Sequence, residues 1–176
     1  MKKKVYVALS ADILHSGHIN ILKKASKLGD VIVGLLSDEA IAEYKKIPTL
    51  NYNQRKIVVE SLNMVKSVIP QYVKDYRPNL IKLKPDYVVH GDDWKRGILK
   101  ESREQVIKEL KKWSGKLIEL KYTKNISSTK IKKDILSKVS LKHNRTSSLK
   151  RLIQSKKLVR VIEAHSPLVG LIIENL

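Results

Sequence analysis

The sequence predicts an α/β fold, a parallel sheet with helices packed on both faces. Three observations predict it. Short apolar runs alternate with helical patterns along most of the chain, the order of βαβ units. The run Val31–Leu36, VIVGLL, is apolar throughout, as a strand covered on both faces requires. The segments after Leu9, Leu36, Val89 and Leu120 are rich in polar side chains. In a parallel sheet these segments gather at one edge, outside the carboxyl ends of the strands.

Each element has a local reason. Lys4–Leu9 is a short apolar run and reads as a buried first strand. Gly17–Leu28 sets Ile19, Leu22, Ala25 and Leu28 on one stripe, a helix, and Gly29 stands where a helix end favours glycine. Asp38–Tyr44 reads as a short helix, 45–51 as a loop holding Pro48, and Tyr52–Met64 as a helix. Ser67–Ile69 and Asp86–Val89 are short strands, Glu101–Trp113 a helix and Lys116–Leu120 a strand. Ser127 or Ser128 caps a last helix that runs to Val139.

Three segments follow from this order. Residues 1–139 form the domain. Residues 140–157 are polar and basic and read as a linker or a loosely packed helix. Residues 158–176 open with LVRVIE, a new strand, and are too few to build a core of their own.

Composition narrows the function. The chain has 176 residues, 42% of them hydrophobic, enough for one medium domain with an appendage. It has no cysteine, which excludes disulfides, thiolate metal sites and thiol catalysis. No apolar run approaches the ~20 residues of a membrane-crossing helix, and the run in MKKKVYVAL is too short for a signal peptide. A cytoplasmic protein without a membrane partner is expected. The net charge is +19, and residues 121–160 hold 13 Lys/Arg against one acid, Asp134. No aromatic side chain interleaves with these cations between Lys124 and Arg160, so a stacking platform for single strands is missing. Nucleic acid is therefore not the expected partner.

The chemistry concentrates where the first strand becomes the first helix, in Asp12-Ile13-Leu14-His15-Ser16-Gly17-His18. A helix N-terminus offers free N–H groups and a positive dipole end, which attract phosphate. Gly17 allows close backbone approach to a ligand. His15 and His18 share a face of the first turn and can touch one polyphosphate, donating hydrogen bonds and, if anionic phosphates hold them protonated, charge.

This segment resembles the H-x-G-H signature of the cytidylyltransferase-like nucleotidyltransferases, and the resemblance continues in order. Tyr52-Asn53-Gln54-Arg55-Lys56 is similar to the family's arginine-bearing helix. Gly91-Asp92-Asp93-Trp94 matches the G-D-D-W segment of the glycerol-phosphate cytidylyltransferase type. Ile126-Ser127-Ser128-Thr129-Lys130-Ile131 resembles the second signature, I-S-T-T-K-I. The resemblance covers residues 3–137 and implies a Rossmann-like fold. It also implies transfer of CMP from CTP, with in-line attack on the α-phosphorus and release of pyrophosphate.

The family implies a site residue by residue. His15 and His18 bind the CTP phosphates and stabilise the transition state. Lys45 or Lys46 meets phosphates from the loop after the second strand, unless both are solvated surface charges. Arg55 does likewise from its helix, unless it pairs with Glu60 or a neighbour. Leu9, Ser10, Ala11, Asp12 and Gly17 border the nucleotide, with Asp12 near the phosphates or a metal. Gly91, Asp92, Asp93 and Trp94 lie near base and ribose, with Trp94 as pocket wall. Ile126, Ser127, Ser128 and Thr129 hold the triphosphate from a second helix N-terminus. Mg²⁺ is implied as counter-charge to CTP, with no metal-ligand cluster of the protein's own. A homodimer is expected. His90, His143 and His165 receive no catalytic role.

Two departures stand out. The glycine-rich stretch common before the aspartate reads Ala8-Leu9-Ser10-Ala11. The arginine often found before I-S-T-T is absent, and Lys124 is a candidate to replace its charge.

Residues 157–168, KLVRVIEAHSPL, resemble the opening strand and loop of phosphoenolpyruvate mutase, so the chain resembles the N-terminal part of a fused cytidylyltransferase–phosphoenolpyruvate mutase with only the start of the mutase present. One strand is no barrel, so no mutase activity is expected. The resemblance implies a phosphonate acceptor, 2-aminoethylphosphonate or 2-hydroxyethylphosphonate. The alternatives are a glycerol-3-phosphate or phosphocholine cytidylyltransferase and, in another class, a basic nucleic-acid-binding protein or an inactive docking domain.

Overall fold

The computed structural model describes residues 2–95, 100–138 and 153–155. Five strands, β1 (Lys4–Leu9), β2 (Asp30–Leu36), β3 (Ser67–Gln71), β4 (Tyr87–Gly91) and β5 (Lys116–Leu120), form one sheet in the order β3-β2-β1-β4-β5. Every neighbouring pair is parallel, with Val5 opposite Val31 and Tyr87, and Val88 opposite Leu117. The chain winds outward from β1 through β2 to β3, then returns to β4 on the other side of β1. The switch point thus lies between β1 and β4, where open sheets of this kind leave a crevice.

Alternation along β1 divides the core into two layers. Val5, Val7 and Leu9 face α1 (Ser16–Ser26) and α3 (Tyr52–Glu60), packing with Leu22, Ala25, Val33, Leu35 and Val59. Tyr6 and Ala8 face the opposite layer, with Ile41 of α2 (Asp38–Ala42), Leu80 of α4 (Arg77–Leu83) and Val106 and Leu110 of α5 (Lys100–Lys111). A further helix, α6 (Ser128–Lys138), follows β5. The fold is the expected Rossmann-like α/β architecture, with helices on both faces.

Several boundaries differ from the sequence reading. Helix α1 ends at Ser26 with Lys27 as C-cap, so Gly29 is no helix cap. A Cβ on Gly29 would fall 2.0 Å from the Lys3 carbonyl oxygen, and close approach of the β1 entrance is what demands glycine there. Helix α3 stops at Glu60, and Leu62, Met64 and Val65 reach the core from the turn that follows. Strand β3 runs through Pro70 to Gln71, which is tolerated because β3 is an edge strand with only β2 beside it. Helix α4 has no counterpart in the sequence reading.

The expected linker, 140–157, lies outside the described residues except for 153–155, which are helical, and the expected strand at 158–163 lies outside them altogether. Among the described residues no helix is long and apolar enough to cross a membrane.

Candidate active site

A cavity of about 500 Å³ opens at the switch point, over the carboxyl ends of β1 and β4 and between the N-terminal turns of α1 and α6. Of the residues expected from the sequence, Leu9, Ser10, Asp12, His15, Gly17 and His18 line it from the first loop and helix. Lys45 and Lys46 line it from the loop after α2, Gly91 and Asp93 from the end of β4, and Ser127, Ser128 and Thr129 from the start of α6.

The first turn of α1 fixes both histidines. His15 is the N-cap, and its Nδ1 accepts the Gly17 N–H at 3.1 Å. His18 answers from the third position, its Nδ1 accepting the His15 N–H at 3.4 Å. This is a capping box made of imidazoles rather than the usual Ser and Glu. The two ring centroids lie 4.0 Å apart. Because each Nδ1 accepts a backbone proton, the hydrogen-bond network assigns the neutral tautomer with Nε2–H to both rings.

The electrostatics agree. Burial lowers the His15 imidazole below its usual range. His18 is pushed down to about 4 by burial first, then by the neighbouring His15 and Lys45. At neutral pH the site without phosphate therefore presents two neutral N–H donors. Gly17 serves this arrangement directly, since a Cβ there would stand 2.9 Å from Cε1 of His15.

Cations surround the histidines. Lys45, Lys46, Lys74, Lys132 and Lys133 line the cavity, against the carboxylates of Asp12 and Asp93. Burial lowers the Lys45 ammonium, Lys132 adds to this, and Asp93 and Asp12 oppose it. Asp12 accepts the Thr49 N–H at 2.5 Å and forms an ion pair with Lys132. The second helix start is held to the first loop by Ser128, whose hydroxyl donates to the Ile13 carbonyl at 3.1 Å. Ser127 is the residue that caps α6, accepting the Lys130 N–H at 3.1 Å.

Five expected residues do not line the cavity. Arg55 is 1% exposed, and its guanidinium is used within the protein. It donates to the Leu50 carbonyl at 3.2 Å, to the Ser10 carbonyl at 2.5 Å and to Asp38 at 2.7 Å. It thus ties together the first loop, the loop after α2 and α2 itself. Trp94 is fully buried behind the wall rather than in it. Its indole stacks on His90 with centroids 3.9 Å apart and donates from Nε1 to Glu119 at 2.9 Å. Asp92 accepts the Tyr122 N–H at 2.8 Å and holds the loop after β5. The Ile126 carbonyl accepts from the Tyr122 hydroxyl at 3.3 Å. Ala11 is buried at φ 47°, a left-handed backbone that glycine adopts more easily, at a cost of about 1 kcal/mol for alanine.

The cavity also includes residues that the motifs did not point to. His90 lines it, with Nδ1 2.8 Å from the Gly91 carbonyl, as do Tyr44, Lys74, Tyr76, Tyr122 and Lys132. Lys124 is not among the lining residues, whereas Lys132, one turn along α6, is. For Lys132 a signal existed. It lies four residues after Ser128, on the same helix face as a residue already singled out.

The Cytidylyltransferase-like family model matches residues 10–134. The chain is 36% identical over 141 residues to a glycerol-3-phosphate cytidylyltransferase from Bacillus spizizenii, covering 77% of this chain and 98% of that protein. It is 32% identical over 134 residues to an ethanolamine-phosphate cytidylyltransferase from Arabidopsis thaliana, covering 73% of this chain and 31% of that one. Among solved structures, a lipopolysaccharide core biosynthesis protein from Thermoplasma volcanium superposes with a TM-score of 0.61 at 26% identity, covering 70% of this chain and 99% of that one.

Proposed function

The chain belongs to the cytidylyltransferase-like family and is a nucleotidyltransferase, and from that premise we propose that it transfers CMP from CTP to the phosphate of a small alcohol phosphate, glycerol 3-phosphate first among candidates. An acceptor oxygen attacks the α-phosphorus, the bond to the bridging α–β oxygen breaks, and pyrophosphate leaves. The observation that carries the reading is the pair of neutral imidazoles, 4.0 Å apart at a helix start, beside the cavity's lysines. Their Nε2–H groups donate to phosphate oxygens as charge develops in the transition state, and the lysines neutralise the departing pyrophosphate.

The acceptor is argued from relatives and from chemistry. Glycerol-3-phosphate cytidylyltransferases match this chain along nearly their whole length. Lys74, beside Tyr44 and Tyr76, offers the acceptor's anionic group a cation within the same cavity. A phosphonate acceptor is the second reading. It rests on residues 157–168, whose likeness to a mutase opening lies outside the described structure. The division into a domain at 1–139, a linker and a mutase-like fragment, and the homodimer, are proposals of the same standing.

Mg²⁺ fits the cavity only as a partner of the nucleotide. Among the described residues no three His, Asp or Glu side chains converge as a metal cluster. Asp12 and Asp93 are the lining carboxylates, enough for an ion that keeps most of its bonds to phosphate and water. Bound there, it would supply counter-charge to the triphosphate.

The test is pyrophosphate release from CTP and Mg²⁺ with glycerol 3-phosphate, ethanolamine phosphate, phosphocholine, 2-aminoethylphosphonate and 2-hydroxyethylphosphonate. Turnover with glycerol 3-phosphate that His18→Ala abolishes is the expected result. Turnover with a phosphonate alone would replace the acceptor. An absence of turnover and of CTP binding would overturn the reading.

A further inference from the structure

Lys132 stands out once the cavity is read as a site for a polyanion. It projects from the second turn of α6 into the same cavity as His15 and His18, and its ammonium is paired with Asp12. Asp12 is 7% exposed and accepts the Thr49 N–H as well. One buried carboxylate therefore joins two parts of the site, α6 through Lys132 and the lysine-bearing loop through Thr49. Around it the lining cations outnumber the carboxylates, and a triphosphate carries more negative charge than Asp12 alone. A lysine on a flexible four-carbon stem needs only a rotamer change to trade one oxygen partner for another.

We propose that Lys132 is a triphosphate-binding residue, held over the histidine turn by Asp12 until CTP draws its ammonium onto the leaving phosphates. The inference rests on the nucleotidyltransferase reading and adds a residue that the signatures do not include. It also explains the placement of α6. Ser128 anchors the start of that helix to Ile13, so its second turn overhangs the pocket at a fixed height. With Ser127, Ser128 and Thr129 at the start of the helix and Lys132 one turn on, α6 presents two successive layers of phosphate donors along one face. The Asp12 contact keeps the cation in place between turnovers and shields Lys45 from a second unneutralised charge.

The competing explanation is purely structural, a pair that pins α6 and nothing more. Binding of inorganic pyrophosphate, CTP and CMP by calorimetry separates the two, with thermal melting measured in parallel. The expected result is that Lys132→Gln weakens pyrophosphate and CTP binding about tenfold, the loss of one charge-assisted contact. CMP binding stays within about twofold, and Lys132→Arg restores most of the pyrophosphate affinity. Unchanged pyrophosphate binding in Lys132→Gln with a lowered melting temperature would overturn the proposal in favour of the structural pair. Equal weakening of CMP and pyrophosphate would overturn it too, since the lysine would then not select the leaving end. A wild-type protein that binds CTP and turns over, with Lys132→Gln indistinguishable from it, removes this inference alone. A wild-type protein that binds no CTP removes the enzyme reading and the inference with it.

Discussion

His18 gives the sharpest quantitative test, because its ring is buried and lines the cavity at the centre of the proposed reaction. Folding depresses the imidazole from 6.5 to about 4, chiefly by burial and then through His15 and Lys45. In the unfolded chain it titrates near its ordinary value. A group whose folded pKa is the lower of the two takes up its proton more readily when unfolded. Its contribution to stability is therefore complete above about pH 6.5 and is lost as pH falls toward 4. Between pH 7 and pH 5 the linkage relation gives a loss of about 2 kcal/mol from this residue. His15, also lowered by burial, adds in the same direction. The assay is urea unfolding of wild type and His18→Gln at pH 7 and pH 5. Glutamine does not titrate, so the variant should lose about 2 kcal/mol less than wild type over that interval. Equal losses, within about 0.5 kcal/mol, would refute the argument that the folded site holds His18 neutral. So would an NMR titration of the His18 ring with a midpoint near 6.5.

Two further predictions separate chemistry from scaffolding. Gly17→Ala places a Cβ 2.9 Å from the His15 ring, which must swing out and give up its bond from the Gly17 N–H. We expect kcat/KM to fall by at least about tenfold while urea unfolding changes by less than about 1 kcal/mol, because alanine is the better helix former and offsets the lost cap. Arg55→Ala should do the reverse in emphasis, costing about 3 kcal/mol in urea unfolding by removing a fully buried guanidinium and its bonds to Asp38 and to the Leu50 and Ser10 carbonyls.

Legibility in the sequence followed the strength of local signals. The apolar runs of β1 and β2 are long and bounded, and their hydrogen-bonded pairing needs no further cue. Helix α4 escaped notice because RPNLIKL buries Leu80 fully and Leu83 only in part, and two core positions in seven residues make too short a stripe to read as a period. Its one cue was Pro78 in the first turn, where proline is welcome. Pro70 misled in the other direction, seeming to close β3 two residues early, since sequence does not reveal which strand lies at an edge. At the site, the motifs gave the residues that share a loop or a helix turn. They did not give Tyr44, Lys74, Tyr76 or His90, which meet the cavity from separate elements and are united only by the sheet order.

The same comparison shows what a signature is made of. His15 and His18 face the cavity, while Arg55, Asp92 and Trp94 turn away from it and bind loops, backbone and Glu119. Glu119 is itself held down to about 2, first by Arg103. A chain of contacts runs from Arg103 through Glu119 and Trp94 to His90, so a residue on the outer face of α5 fixes an aromatic wall of the pocket. Substitution in either group would lower turnover, and a loss of activity alone would not tell them apart. The distinction lies in how the loss arises. A residue that faces the phosphates lowers kcat or weakens nucleotide binding in a protein of normal stability. One that holds a loop lowers the unfolding free energy as well, and its activity recovers in part when the temperature is reduced. On this argument Arg55 and Trp94 belong with the scaffold of the nucleotide site, and Lys132, from a position outside the signatures, belongs with its chemistry.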